Sequence, residues 1–147
     1  VGGPFYVTAS VYAICKSMRI EILKEPPRAT AQEKKVRIIH GRPQFYEPEN
    51  VKKAKAWLIT ELKPYAPVTP IEGPVLLEVC WCFHGKKLDW KTTRPDTDNL
   101  EKMLKDVMTD LGFWKDDAQV CNEIVRKLYN PQPKLIIEVV DLNHLPT

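Results

Sequence analysis

The period of apolar and polar positions changes several times along the chain, and each change predicts an element. Arg19-Ile-Glu-Ile-Leu-Lys alternates polar and apolar residues, the period of a strand with one buried face, and Pro26-Pro27 end it. Arg28 to Arg42 is polar and basic, broken by Val36, Ile38 and Ile39, which predicts a hairpin or an irregular loop. Tyr46-Glu47-Pro48 reads as a helix start with proline in the first turn, and Val51, Ala54, Trp57, Leu58 and Leu62 supply its apolar side. Prolines 64, 67, 70 and 74 predict an extended connector. Val75 to Phe83 is almost continuously apolar, as expected of a strand covered on both faces.

Leu100, Met103, Leu104, Val107, Met108 and Leu111 then recur at helical spacing. Asp98 or Asn99 can cap this second helix, and Gly112 can close it in a left-handed position. Gln119 to Tyr129 carries both a helical period (Val120, Ile124, Leu128) and a β-branched content that, after an Asp-Asp turn, favours a strand. Lys134 to Leu142 predicts a final strand, antiparallel to its predecessor as a hairpin through Asn130 to Pro133. Residues 1–17 carry no charge before Lys16; they read as an N-terminal extension or an appended segment, with Phe5, Val7, Ala9, Val11 and Ala13 alternating as a strand would. Residues 18–147 form one domain. The order of elements predicts an α/β (α+β) fold, a small mixed β-sheet with two main helices packed on it.

Charge is informative by its distribution rather than its total, which is only +3 over 147 residues. Residues 16–55 hold eleven Lys or Arg against five acids, whereas residues 96–141 hold six against ten. A basic half and an acidic half suit a polyanion gripped by one part and a cation held by the other. The four cysteines show no CxxC spacing, which points to reduced thiols and a cytoplasmic protein. Cys80, Cys82 and His84 alternate onto one strand face but stand about 7 Å apart along it, which favours small side chains packed in the sheet over zinc ligands. No run is long enough to span a membrane.

The candidate chemistry lies around the second helix. Asp96 and Asp98 follow Pro95, and if the extended run continues their carboxylates share one face. Lys102 follows one turn beyond Asp98. A tight reversal at Asp116-Asp117 and a returning strand would bring a third carboxylate to the same cleft, a set of hard oxygens suited to magnesium or manganese. Taken singly, these residues read as a helix cap, a turn and an i, i+4 ion pair; their combination admits a metal site. Arg28, Lys34, Lys35, Arg37 and Arg42 form one candidate phosphate-contact surface, and Lys86, Lys87, Lys91 and Arg94 form a second that leads into the acids.

The block Arg94-Pro-Asp-Thr-Asp-Asn-Leu-Glu-Lys, followed one helix later by Gly112-Phe-Trp-Lys-Asp-Asp-Ala-Gln-Val, resembles the RusA family of phage and prophage Holliday junction resolvases. Pro27-Arg28 and Gly41-Arg42 with Tyr46-Glu47-Pro48 extend the resemblance more weakly toward the N-terminus. It implies that Asp96, Asp98 and Asp117 are metal-binding catalytic carboxylates, that Lys102 is the essential lysine, and that Mg2+ is the cofactor with Mn2+ able to replace it. It also implies a homodimer that makes paired symmetric nicks in four-way DNA junctions. The rival expectations are a DNA-binding module without catalysis and a related nuclease acting on flaps or other branched DNA.

Overall fold

The strand that organises the molecule is the apolar one, β4 (Val75–His84). In the computed structural model, which describes residues 16–30 and 35–144, β4 is the middle of a five-stranded sheet. Beside it lie β7 (Lys134–Asp141), antiparallel, and β6 (Val120–Asn130), parallel. β1 (Lys16–Ile22) closes one edge against β7, and the two-residue β5 (Asp89–Trp90) closes the other against β6. Lys16 and Ser17 pair with Asp141 and Val140, so the first strand starts two residues before the domain boundary expected at Met18. The alternation expected over Phe5 to Ala13, like Lys34, lies outside the described residues.

Two helices, α1 (Glu49–Leu62) and α2 (Thr97–Asp110), contribute to one core with the sheet. Val75, Leu77, Val79, Trp81 and Phe83 of β4 point into that core together with Ile20, Ile22, Leu135, Ile137 and Val139. They meet Ala54, Leu58 and Leu62 of α1 and Leu100, Met103, Leu104, Val107 and Met108 of α2. The mixed sheet with two helices is therefore as expected. The expected cover on both faces of β4 is met only in part: on its other side Leu76 and Cys82 are buried, but Glu78 and Cys80 are only half-buried, beside the ion pairs Arg126–Glu78 (3.5 Å) and Arg19–Glu138 (2.7 Å). Charged side chains of neighbouring strands shield that face.

The β6–β7 hairpin is also replaced. The two strands run antiparallel but do not pair, because β4 lies between them. Ten residues with buried side chains at seven positions satisfy their backbone best at the centre of a sheet, and the Pro131-Gln132-Pro133 link arches over the end of β4. A true hairpin forms instead in the basic passage. β2 (Lys35–Ile39) and β3 (Arg42–Tyr46) pair around His40 and Gly41, whose φ values of 50° and 74° suit a tight hairpin turn.

Gly112 ends α2 as expected, with φ 84°, its N–H donating to Thr109 O and that of Phe113 to Met108 O, both at 3.0 Å. A methyl group there would meet nothing closer than Pro70 Cγ at 4.0 Å, so the cost of substitution is conformational. Gly112→Ala is expected to lower stability by about 1 kcal/mol, read as a shifted urea midpoint with unchanged slope.

Candidate active site

α2 runs antiparallel to β6, and this places the expected site residues. Side chains 123, 127 and 129 of β6 reach toward α2 and the loop before it. The Lys105 ammonium pairs with Glu123 at 3.2 Å. The Lys127 ammonium donates to Thr93 O at 2.8 Å and Pro95 O at 2.7 Å, and the Tyr129 hydroxyl lies 3.0 Å from Thr93 Oγ1. The N-terminus of α2 therefore sits over the far end of β6, and its C-terminus over the beginning.

Helix formation starts two residues earlier than a cap at Asp98 would allow. Asp96 occupies the N-cap position in extended conformation (φ −76°, ψ 150°), its carbonyl accepts from Leu100 N at 3.1 Å, and its side chain makes no capping hydrogen bond. Asp98 thus lies within the first turn, where the N-terminal dipole favours an acid. Asp96, Asp98 and Lys102 are exposed and take part in no ion pair or side-chain hydrogen bond among the described residues.

The cation-rich segment before them is built from the inside. Lys91, expected on the DNA-contact surface, is only 5% exposed. Its ammonium donates to Thr93 Oγ1 at 2.7 Å and Tyr129 Oη at 3.3 Å and lies over the rings of Phe83 (5.4 Å) and Tyr129 (4.8 Å). These aromatic faces come from β4 and β6, so the burial depends on tertiary pairing that the local pattern does not contain. Donors from Thr93 and then Lys91 hold the Tyr129 phenol below its ordinary pKa. Arg28, whose guanidinium lies 5.5 Å from the Phe83 ring centre, and Lys86, Lys87 and Arg94 remain exposed around this loop.

The second acidic element is held by Gln119. Its amide nitrogen donates to Ile71 O (2.7 Å) and Gly73 O (2.9 Å), and its amide oxygen accepts from the backbone N–H groups of Lys115 (2.9 Å) and Asp116 (3.0 Å). The Asp116 carboxylate accepts from Ala118 N at 2.9 Å, completing a capping box. Asp117 is exposed and has no such partner among the described residues. It borders an open cleft of about 470 Å³ with Lys55, Asp106, Thr109, Asp110, Lys115 and Asp116.

One protomer does not bring the three expected carboxylates together. Fourteen helical residues at 1.5 Å each set the two ends of α2 about 20 Å apart, with Asp96 and Asp98 at one end and Asp117 beyond the other. No group of three acids, histidines or cysteines close enough to hold a metal occurs among the described residues.

Between the two ends lies Glu101, 2% exposed, accepting from the Trp81 indole N–H at 3.0 Å while its second oxygen meets no hydrogen-bond donor among the described residues. Burial, reinforced by Glu123, pushes its pKa up to about 8 against the opposing effects of Trp81 and Lys105. Its helical position gave no signal for this. The indole inside an otherwise apolar strand did, because a buried indole N–H needs an acceptor.

Residues 25–140 match the model of the family described as Endodeoxyribonuclease RusA. The chain is 30% identical over 119 residues to the "Crossover junction endodeoxyribonuclease rusA" of Lactococcus phage r1t, covering 77% of this chain and 89% of that protein. It is 28% identical over 121 residues to the uncharacterized protein YqaN of Bacillus subtilis (strain 168), covering 72% of this chain and 84% of that one.

Proposed function

The chain belongs to the RusA endodeoxyribonuclease family, and from this premise we propose that it resolves four-way DNA junctions by paired, Mg2+-dependent nicks, acting as a cytoplasmic homodimer in bacterial or phage-infected cells. The observation that carries the proposal is the pair of unengaged acids at the start of α2, beside the unengaged Lys102, with Asp117 about one helix length away. Two-fold pairing that sets the start of one α2 against the Asp117 turn of its partner would complete two equal sites from four helix ends. Each site would then draw Asp96, Asp98 and Lys102 from one protomer and Asp117 from the other.

These residues fit a hard divalent ion. All three carboxylates are exposed, and neither a lysine nor a hydrogen-bond donor among the described residues occupies them. A divalent ion held there supplies a readily deprotonated water and polarises the phosphoryl oxygens. The acids hold and orient. The Lys102 ammonium neutralises charge growing on the phosphate or the leaving oxygen. Lys127 and Lys91 fix the loop that ends at Asp96, so the first acid is presented from an anchored backbone. Arg28, Lys86, Lys87 and Arg94 draw phosphates toward it.

The test is cleavage of a labelled, movable four-way junction and a linear duplex with Mg2+, Mn2+ or EDTA. Paired nicks confined to the junction and lost in EDTA are expected. Equal cutting of flaps or single-stranded tails would replace this reading by the flap-nuclease one, and binding without cutting under either metal would overturn the catalytic claim.

A further inference from the structure

The β2–β3 hairpin projects a face that nothing among the described residues covers. The register pairs Val36 with Phe45 and Ile38 with Pro43, so these four side chains share one face of the ribbon. Val36, Ile38 and Phe45 are 52%, 76% and 79% exposed, and none belongs to the core. The opposite face carries Arg37 and Arg42, with the Arg37 guanidinium 5.1 Å from the Tyr46 ring centre. No acid occurs between residues 35 and 46. An isolated two-stranded ribbon is marginal in water, and one with an apolar face gains most by burying it.

Charge selects the occupant. A second copy docked on the apolar face would leave the arginines of the opposite face without an anion, whereas a polyanion offers phosphates to the arginines and unstacked bases to the apolar face. We propose that the hairpin is a wedge entering the opened centre of branched DNA, Phe45 and Ile38 lying against unstacked bases while Arg37 and Arg42 grip the adjoining phosphates. The proposal rests on the branched-DNA reading above and assigns selectivity for branches to an element remote in sequence from the carboxylates. Apolar side chains inserted between bases serve this purpose wherever stacking is already interrupted, because a branch point lowers the cost of opening the stack. Linear duplex, fully stacked, gains contacts from the arginines alone.

The experiment uses the full chain, no divalent metal, and a four-way junction carrying 2-aminopurine beside the branch. Wild type is expected to raise the fluorescence on binding. Phe45→Ala is expected to lose about tenfold in junction affinity, keep its affinity for linear duplex, and leave the fluorescence at the free-DNA level. Phe45→Trp is expected to retain both properties of wild type. Thermal melting checks that Phe45→Ala is folded, and sedimentation velocity follows its association state. Junction affinity and fluorescence equal to wild type in Phe45→Ala would overturn the wedge alone. So would a shift to monomer that accounts for the lost affinity, which would assign the face to a second copy. Failure of wild type to bind the junction would overturn the branched-DNA reading together with the wedge.

Discussion

Asp98→Asn is expected to slow junction nicking by about a thousandfold while leaving metal-free junction binding within about twofold of wild type. Asparagine keeps the size of the side chain and removes the charge that holds a hard cation, and Asp98 is exposed, so the fold loses only the favourable place of an acid in the first helical turn, about 0.5 kcal/mol. Asp117→Asn is expected to behave alike. The discriminating measurement mixes the two inactive variants as co-expressed, differently tagged chains. If each site takes Asp98 from one protomer and Asp117 from the other, the mixed dimer contains one site with both substitutions and one with neither. Single-strand nicking then returns, without the paired second cut. If each site lay within one chain, both sites of the mixed dimer would carry a substitution and nicking would stay absent. The 20 Å helix between the acids makes the first outcome the expected one.

Glu101→Gln is expected to change how stability depends on pH. The folded-state pKa of about 8 stands above the ordinary value of 4.5, so the folded chain binds the proton more tightly than the unfolded chain does. The stabilisation is fully present below about pH 4.5 and is lost as pH rises through 8. Groups facing the carboxyl are Trp81 from β4, Glu123 from β6 and Lys105 one turn along α2. Glutamine keeps an acceptor for the indole and cannot ionise. The variant is therefore expected to hold its melting temperature between pH 5 and 9 while wild type falls by roughly ten degrees, a loss of about 4 kcal/mol. Parallel melting curves for the two proteins across that range would show that Glu101 is not the group responsible.

The sequence and the structure agree wherever a local pattern is long. The apolar stripe of α2 is buried from Leu100 to Met108, and Gly112 ends the helix. β7 appears as read, because alternate residues from Leu135 to Val139 face the helices. Agreement ends where neighbours from distant sequence decide. Nothing near Asn130 signals that β4 will separate β6 from β7. Lys91 resembles any loop lysine until Phe83 and Tyr129 arrive on either side. Asp96 and Asp98 are equally good capping residues, and the choice of Asp96 as N-cap places Asp98 inside the helix. Spacing along the chain proposes Asp96, Asp98 and Asp117 as candidates, but it does not say that the intervening helix would hold them apart.

The position of β7 has a consequence for how the molecule comes into being. β7 lies between β1 and β4, so the strand that opens the described domain waits for one that is synthesised more than a hundred residues later. The parallel β4–β6 pair likewise waits until α2 has emerged and reversed. During synthesis only the β2–β3 hairpin and the two helices have their partners at hand, and β4, the most apolar segment, remains unpaired on both edges. A chain cut short before Lys134 loses a central strand rather than a margin. Such a product exposes β1 and β4 together, two bare edges ready to join those of other incomplete chains.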